Sequence, residues 1–372
     1  MKWTQCFTII ACAMVLSACR RQSPPLSTVA PTVRWHPSQL PRIDVHTHIV
    51  PGAGVRAVDL ARSHGIVHLV NLSGGVPGHG LEQQLAEAAL LGGSVSIFAN
   101  ADWREPPRGP GYGKRMAVQL VRARQLGAIG LKISKGLGLG YEGPDGKLLT
   151  VDDPGLDPLF EKAGELGMPV AIHSGDPKAF WRPATPDNER YDELRAHPGW
   201  SFYGEPLPSW EALFESFVRR VARHPKTIFI GVHFGNDPED PDRIAALLER
   251  HPNLYIDTAA RVPEIGRHSA DRMRNFFERF QDRILFGTDL GIGSEPGDLM
   301  LGSTGSEPPT AAEIERFFDS TWRYFETSDR QFDHPTPIQG RWKIDGLGLS
   351  PSVLAKIYAG NAQRLLGIKL PR

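Results

Sequence analysis

The sequence predicts an α/β protein folded as a single-domain (β/α)8 TIM barrel with long loops at its C-terminal face. Two observations carry this prediction. Short apolar runs alternate eight times with longer amphipathic segments from Ile43 onward, which is the order of elements in such barrels. Most of the short runs, IVHLVNL and IFIGV among them, are nearly continuous apolar stretches, which is typical of parallel strands buried on both faces. A doubly wound open sheet is the alternative.

The eight predicted strands follow one another along the chain after its first forty residues. The apolar runs place them at Ile43–Ile49, Ile66–Leu72, Val95–Ala99, Ile129–Ile133, Val170–His173, Thr227–Val232, Leu254–Asp257 and Ile284–Gly287. The segments between them carry apolar residues at helical spacing, as in LDPLFEKAGELG and WEALFESFVRRVARHP. Several of these helices end at Gly or at His-Pro just before the next strand, as helix C-termini commonly do.

Four connections are too long to be simple turns. They are Ala101–Lys114, Leu137–Leu156, Ser174–Ser209 and the stretch from Asp289 to about Pro309. Each follows the C-terminal end of a strand, where barrel enzymes build their sites, and long loops in compact domains are commonly functional. We therefore expect a site covered by loops, and we expect Asp333–Leu349 to fold back over it.

The charge of the chain bears on what it binds. It has 42 basic and 42 acidic side chains, a formal net charge of zero, and 40% hydrophobic residues. A neutral chain without a Lys/Arg block offers no surface for a polyanion, which argues against nucleic-acid binding. Its apolar fraction is too high for a disordered chain. A small diffusible substrate is therefore the partner that we expect.

The N-terminal segment predicts export. Its apolar run Cys6–Ala18 follows a single charge at Lys2 and is too short to cross a bilayer comfortably. The run ends in VLSAC, which resembles a bacterial lipobox and implies lipid attachment to the thiol of Cys19. An ordinary signal peptide cleaved near Ala18 is the alternative. Arg20 stands where an inner-membrane retention signal would have Asp, which favours an outer-membrane anchor facing the periplasm.

These features divide the chain into three segments. Residues 1–18 are predicted as a signal peptide, residues 19–41 as a Pro/Ser-rich tether, and residues 42–369 as the barrel. All three cysteines, Cys6, Cys12 and Cys19, lie in the first nineteen residues. The barrel therefore has no thiolate to offer, and a metal bound there must use histidine and carboxylate ligands.

Three polar side chains share one face of the first predicted strand. Asp44, His46 and His48 alternate with apolar residues, so they point to the same side. Two imidazoles one residue apart can chelate a divalent ion, and Asp44 can hold an imidazole by a hydrogen bond. The spacing of the two histidines is a weak signal by itself.

Further polar residues stand at the ends of other predicted strands. His173 ends the fifth strand, His233 follows the sixth and Asp289 follows the eighth. A barrel directs catalytic groups from these positions, and imidazole and carboxylate are ordinary ligands of zinc and similar ions. Core or helix-end roles explain several other histidines: His64, His68, His224 and His251.

The motifs in these strands resemble a known family. DVHTH on strand one, GLKI on strand four, PVAIHSG on strand five, IGVHFG on strand six, NLYIDT on strand seven, ILFGTD on strand eight and the final GNAQRLL resemble the amidohydrolase superfamily in type and order. More narrowly, they are similar to its amidohydrolase-related branch (amidohydrolase 2), which contains the aminocarboxymuconate-semialdehyde decarboxylase type. The resemblance covers nearly all of residues 42–369 and is specific for the superfamily, not for a substrate.

The resemblance implies one catalytic divalent ion, with zinc expected. It implies four ligands: His46, His48, His173 and Asp289. His233 would then activate or orient a water molecule or polarise the substrate. Relatives with two metals add a carboxylated lysine on strand four, and Lys132 in GLKI stands on that strand. We favour one metal, with the second as the alternative.

The implied activity is that of a metal-dependent hydrolase, in which a metal-activated water cleaves an ester, lactone or amide. Asp289 would move the proton to the leaving group, and His233 would stabilise the oxyanion. The candidate substrate-binding residues are Lys132, Arg261 and Trp181, and the two cations favour an anionic substrate. A non-oxidative decarboxylase on the same barrel is the alternative. An exported, non-catalytic binding lipoprotein is the alternative from another class.

Overall fold

The computed structural model describes residues 37–103, 111–295, 297–305 and 307–370. The predicted signal peptide, the lipidation site Cys19 and the tether up to residue 36 lie outside these residues, as does the 104–110 part of the first predicted long loop. From Ser38 onward the chain belongs to one unit. No helix among the described residues has the length and apolar character needed to cross a bilayer.

The centre of this unit is a sheet of eight parallel strands that neighbour one another in chain order. They are β1 (Arg42–Ile49), β2 (Ile66–Asn71), β3 (Val95–Asn100), β4 (Gly130–Ile133), β5 (Val170–Ile172), β6 (Phe229–Gly231), β7 (Leu254–Asp257) and β8 (Ile284–Leu285). Each strand pairs in parallel with the next, from β1 to β8. These are the strands predicted from the sequence, with some ends shifted by one or two residues.

The chain that leaves β8 returns to β1. The backbone N–H of Val45 donates to the carbonyl of Phe286 at 3.0 Å, and the N–H of Asp289 donates to the carbonyl of His46 at 2.9 Å. Two short strands follow, β9 (Leu290–Ile292) parallel to β1 and β10 (Leu299–Leu301) antiparallel to β9. A curled sheet with these neighbours is compatible with the expected (β/α)8 barrel.

Helices connect the strands and follow them. They are α1 (Gly54–Ser63), α2 (Leu81–Leu90), α3 (Tyr112–Leu126), α4 (Asp157–Glu165), α5 (Tyr191–Ala196), α6 (Trp210–Arg223), α7 (Pro241–Arg250), α8 (Val262–Ile265), α9 (Ala270–Arg279), α10 (Ala311–Glu326), α11 (Pro351–Ala355) and α12 (Asn361–Leu366). The sequence explains how α6 forms: the Ser209 hydroxyl accepts a hydrogen bond from the N–H of Ala212 at its start, and Leu213 and Phe217 lie on its buried side.

The apolar core joins the strands to the C-terminal helix. Ile43 and Val45 of β1 lie in one buried cluster with Phe98 of β3 and Ile230 of β6, and Leu366 of α12 belongs to the same cluster. Burial of such side chains is the main favourable term in folding. It fixes the strands whose C-terminal ends carry the polar residues considered below.

The stretch Asp333–Leu349 contacts the loops at the C-terminal ends of two strands. The indole N–H of Trp342 donates to the carbonyl of Pro263, just after β7, at 2.9 Å. The guanidinium of Arg341 donates twice to Asp192, in the connection that follows β5, at 2.7 and 2.8 Å. Arg341 and Trp342 lie in the connection between β11 (Phe332–Asp333) and β12 (Lys343–Ile344), which pair as a small hairpin.

Candidate active site and metal centre

His46 lies at the centre of the site and is fully buried on β1. Its Nδ1 donates to Oδ2 of Asp257, at the end of β7, at 2.8 Å. Its Nε2 is buried without a hydrogen-bond partner among the described residues and lies 3.3 Å from Oδ1 of Asp289. Because Nδ1 holds the proton, Nε2 keeps its lone pair and is free to bind a metal.

His48 presents the same nitrogen to the same carboxylate. Its Nδ1 hydrogen-bonds the hydroxyl of Ser73 at 2.6 Å, and its Nε2 lies 3.3 Å from Oδ1 of Asp289. The potential ligand atoms of His46, His48 and Asp289 lie within 4.8 Å of one another. The alternation along β1 therefore brings two imidazoles together, as the sequence predicts.

Asp44 does not hold an imidazole, which corrects the expectation from the sequence. Its Oδ1 accepts from the backbone N–H of His46 at 3.0 Å and of Thr288 at 3.1 Å, and its Oδ2 accepts from the Thr288 hydroxyl at 2.5 Å. Burial raises the pKa of Asp44 to about 7. Asp44 thus fixes the backbone on both sides of the site, and Asp257 supports the imidazole instead.

Asp289 stands in a strained turn just after β8. Its φ is 67°, a left-handed conformation that non-glycine residues adopt mainly where the surroundings impose it. Burial alone would raise its pKa, but the adjacent His46, the hydrogen bond from His48 and the charge of Lys132 hold the pKa of Asp289 well below its usual range. The carboxylate therefore stays ionised, which is the form that binds a cation.

His173 faces the site from the C-terminal end of β5 with the opposite nitrogen engaged. Its Nε2 donates to the carbonyl of Gly175 at 3.2 Å and lies 3.4 Å from Oδ1 of Asp176. Its ring centroid lies 4.4 Å from that of His233. This arrangement leaves Nδ1 of His173 as the nitrogen with a free lone pair.

His233 occupies a left-handed turn after β6, where its φ is 55° and that of Phe234 is 58°. Its Nδ1 donates to the carbonyl of Ala259 at 2.9 Å, and its backbone N–H donates to Oδ1 of Asp257 at 2.8 Å. Its ring centroid lies 4.9 Å from that of His46. Nε2 of His233 is therefore the nitrogen able to accept a proton or to contact a substrate.

Three buried or largely buried imidazoles of the site are held neutral. Burial lowers the pKa of His46, lowers that of His173 to about 4, and places that of His233 well below its usual range. Neutral imidazole is the form that binds divalent ions and the form that acts as a base. The site can therefore do both at neutral pH.

The predicted substrate-binding residues lie in different settings. Lys132 on β4 is buried, its Nζ has no hydrogen-bond partner among the described residues, and burial lowers its pKa to about 8. Arg261, after β7, is also buried, and its Nη1 donates to the carbonyl of its neighbour Ala260 at 3.1 Å. Trp181 donates from Nε1 to the carbonyl of Pro208 at 3.0 Å, within the connection that follows β5.

Two carboxylates of the site were not selected from the sequence. Asp257 is the partner of His46, and its position at the end of β7 was the one available signal. Asp176 follows His173 by three residues in HSGD and lies beside its Nε2. Neither role can be read from spacing, because each depends on which ring nitrogen points toward the carboxylate.

The donor set fits a divalent metal ion. Neutral imidazole and carboxylate are ordinary ligands of such ions, and the orphaned Nε2 of His46 is an expensive group to bury without a partner. A second group, His46, His233 and Asp257, also has potential ligand atoms within 4.8 Å of one another. There, however, Nδ1 of His46 already donates to Asp257, so the group of His46, His48 and Asp289 is the better site.

Sequence comparison gives one match of broad coverage. A protein-family model described as amidohydrolase matches residues 43–368. No curated protein matches the chain significantly.

Several solved structures share the fold. An uncharacterised TIM-barrel protein from Bordetella bronchiseptica is 16% identical, with a TM-score of 0.51, over 88% of this chain and 99% of that one. A 2,6-dihydroxybenzoate decarboxylase from Rhizobium is 16% identical, with a TM-score of 0.50, over 88% and 99%. A dihydroxybenzoic acid decarboxylase from Polaromonas, with bound manganese and the inhibitor 2-nitroresorcinol, is 15% identical, with a TM-score of 0.52, over 88% and 97%.

Proposed function

The chain belongs to the amidohydrolase family, whose model it matches over residues 43–368, and from this premise we propose a metal-dependent enzyme that decarboxylates a small anionic substrate. The metal is held by His46, His48 and Asp289, with His173 as the fourth ligand. The reaction is non-oxidative: carbon dioxide leaves and a proton takes its place. Hydrolysis, the first expectation from the sequence, becomes the second candidate.

The observation that carries this proposal is the pair of buried cations beside the site. Lys132 has no hydrogen-bond partner among the described residues, and the one hydrogen bond found for the Arg261 guanidinium goes to a neutral carbonyl. Burying a cation without a counter-charge is costly. Together with a divalent ion, these cations outweigh the carboxylates of Asp257 and Asp289. An anionic substrate would supply the missing negative charge.

The proposed step uses two groups of this chain. The bond to the carboxylate carbon breaks, carbon dioxide leaves, and the electron pair stays on the substrate until a proton is added. Lys132 stabilises the negative charge that develops. The proton comes from water, and Asp289, whose side chain is 19% exposed whereas that of Asp257 is 1% exposed, is the carboxylate placed to orient that water molecule. A divalent ion, when bound, supplies Lewis-acid polarisation of a substrate oxygen.

The similar solved structures support decarboxylation as the first candidate and hydrolysis as the second. Two of them are described as decarboxylases of dihydroxybenzoates. At 15–16% identity they share the fold with this chain, so the substrate class rests on the charges of the pocket. The Polaromonas protein holds manganese, which makes manganese a candidate beside the zinc expected from the sequence.

Hydrolysis stays the second candidate because water can reach the site. The side chain of His48 is 34% exposed and that of Asp289 is 19% exposed. His233 presents Nε2 as a base that can orient a water molecule toward a carbonyl carbon. The same residues would then cleave an ester, lactone or amide with an anionic group.

One experiment separates the candidates. The protein is stripped of metal with a chelator, reloaded with zinc or manganese, and incubated with hydroxybenzoates and with carboxylated esters, lactones and amides. The proposal expects carbon dioxide release from a carboxylated aromatic, lost on chelation and restored by metal. Acid production from an ester or lactone, without carbon dioxide release, would replace it with hydrolysis. Stoichiometric metal and ligand binding without any turnover would favour the non-catalytic binding lipoprotein.

We also propose that the chain is lipid-anchored in the bacterial cell envelope. The support is the lipobox-like VLSAC ending at Cys19 and the Pro/Ser-rich tether that follows. Expressed with its own N-terminus, the protein should fractionate with outer membranes and carry a lipid mass on Cys19. A Cys19→Ala variant should lose both properties. A soluble periplasmic protein cleaved near Ala18 would contradict the anchor and favour an ordinary signal peptide.

A further inference from the structure

A chain of three side chains runs from the exposed rim of the site to His173. Lys135, in the segment after β4, has its Nζ 2.5 Å from Oδ2 of Asp176, and Oδ1 of Asp176 lies 3.4 Å from Nε2 of His173. The side chain of Lys135 is 41% exposed, that of Asp176 is 8% exposed and that of His173 is 16% exposed. The carboxylate thus stands between an exposed cation and a buried imidazole.

The position of Asp176 is fixed from a second direction. Its backbone carbonyl accepts a hydrogen bond from the indole N–H of Trp210, the first residue of α6, at 3.0 Å. The ring of Phe202 lies 5.9 Å from Nζ of Lys135 and packs against Trp181 with ring centroids 4.5 Å apart. The carboxylate is therefore held by contacts from the segments after β4 and β5, and not by the strands themselves.

We infer that Asp176 and Lys135 are positioning residues for His173. Oδ1 of Asp176 and the carbonyl of Gly175 keep the proton of His173 on Nε2, which leaves Nδ1 unprotonated and able to bind the metal of the proposed function. Lys135 holds the other carboxylate oxygen and so keeps Asp176 at His173. This inference rests on the metal centre of the proposed function and extends it to its outer support.

If Lys135 were only a positive charge near the metal, its removal would change metal affinity in one direction. The positioning role predicts the opposite change. A cation close to a divalent ion repels it, so removal of the charge alone would tighten metal binding. If Lys135 instead holds Asp176 in place, its removal leaves a nearly buried carboxylate without its counter-charge. That carboxylate turns toward water, His173 loses its support, and metal binding weakens.

The test measures metal affinity rather than activity. The metal-free full-length protein competes with a chromophoric chelator for manganese or zinc. Asp176→Asn should weaken metal binding roughly 10- to 100-fold, the usual cost of losing such a support. Lys135→Met should weaken it in the same direction, and Lys135→Arg, which keeps the cation, should stay close to wild type.

Lys356→Met is the matched control. The side chain of Lys356 is 41% exposed, as is that of Lys135, and its Nζ lies 2.9 Å from Oδ1 of Asp282, just before β8. The variant removes a Lys–Asp pair of the same kind at the end of β8 opposite to Asp289, so it should leave metal affinity unchanged. Thermal unfolding of the metal-free variants checks that each one folds.

Each outcome decides the inference. Tighter metal binding by Lys135→Met, or unchanged binding by folded Asp176→Asn, would overturn it and leave the proposed function standing. Weakening by Lys356→Met to the same extent would reduce the effect to a general consequence of losing a Lys–Asp pair and would also overturn it. A wild-type protein that binds neither metal would overturn the proposed function and this inference with it.

Discussion

The two sides of the metal centre are built from different parts of the fold. On the side of β1, His46 is fully buried and its partner Asp257 is 1% exposed at the end of another strand. On the side of β5, His173 is held by the loop residue Asp176, which is itself held by Lys135, 41% exposed at the rim. One side is fixed by the sheet, and the other is fixed by loops.

The difference assigns separate tasks to the two sides. Strand positions are set by core packing, which tolerates little movement, so the β1 side determines whether a metal is bound at all. Loop positions vary more readily without loss of the fold, so the β5 side is where affinity and specificity can be adjusted. The following predictions test this contrast, from the largest expected effect to the smallest.

Replacement of His46 by alanine should abolish the centre. The free energy of structural metal binding, about 10–16 kcal/mol, is shared by about four ligands, so the loss of one should weaken binding roughly 100- to 1000-fold. Metal analysis of the purified variant after dialysis should find no bound ion, and activity should fall with it. An unchanged metal content in the folded variant would exclude His46 as a ligand and contradict the assignment of the strand-fixed side.

Replacement of His233 by glutamine should separate catalysis from metal binding. Because Nε2 of His233 is proposed to act on substrate or water, kcat should fall roughly 10²- to 10⁴-fold while metal stoichiometry stays unchanged. His224→Gln is the matched control, since His224 is also buried but lies at the end of α6 beside Arg220. A loss of metal in His233→Gln would indicate that His233 is a metal ligand. It would contradict the assignment of His233 to catalysis alone.

Asp257→Asn tests the support of His46 directly. The amide removes the carboxylate charge that receives the N–H of Nδ1, so Nε2 becomes a poorer ligand and metal affinity should fall roughly 10- to 100-fold. The chelator competition described above measures it. Asp153→Asn is the control, because Asp153 accepts a hydrogen bond from the N–H of Gly155 at 2.8 Å outside the site. Equal effects of the two variants would remove any special role of Asp257.

A buried histidine of the sheet should affect stability and not the site. His68 on β2 hydrogen-bonds Ser96 at 2.9 Å, and burial lowers its pKa from 6.5 to about 4. The folded protein binds fewer protons at His68 than the unfolded chain does. His68 therefore contributes stability above pH 6.5, and this contribution is lost as the pH falls toward 4. By this linkage His68 lowers the free energy of unfolding by about 2 kcal/mol between pH 7 and pH 5.

Urea unfolding of metal-free wild type and His68→Gln at both pH values measures this contribution. The free energy of unfolding of the variant should fall by about 2 kcal/mol less than that of wild type over the interval. Metal affinity of the variant should match wild type. Equal slopes for the two proteins would mean that His68 is not held neutral by burial.

The sequence predicted the fold because its signals are local. Nearly continuous or alternating apolar runs located the eight strands to within one or two residues, and Gly or His-Pro marked the helix ends. The alternation of Asp44, His46 and His48 also placed two imidazoles on one face, where the structure brings them to Asp289.

The residues that support the imidazoles could not be predicted from the sequence, because these contacts join segments far apart along the chain. Asp257 reaches His46 from β7, 211 residues along the chain, and Asp44 binds backbone groups rather than a ring. The engaged nitrogen differs as well, Nδ1 in His46 and Nε2 in His173. That difference follows from backbone geometry at the strand ends, which composition and periodicity do not encode.

The most direct test of the central claim is anomalous diffraction from crystals of the protein loaded with manganese or zinc. The account predicts one anomalous peak per chain, within bonding distance of Nε2 of His46 and of His48, of a carboxylate oxygen of Asp289 and of Nδ1 of His173. An ion bound away from β1, or no ion after loading, would contradict it.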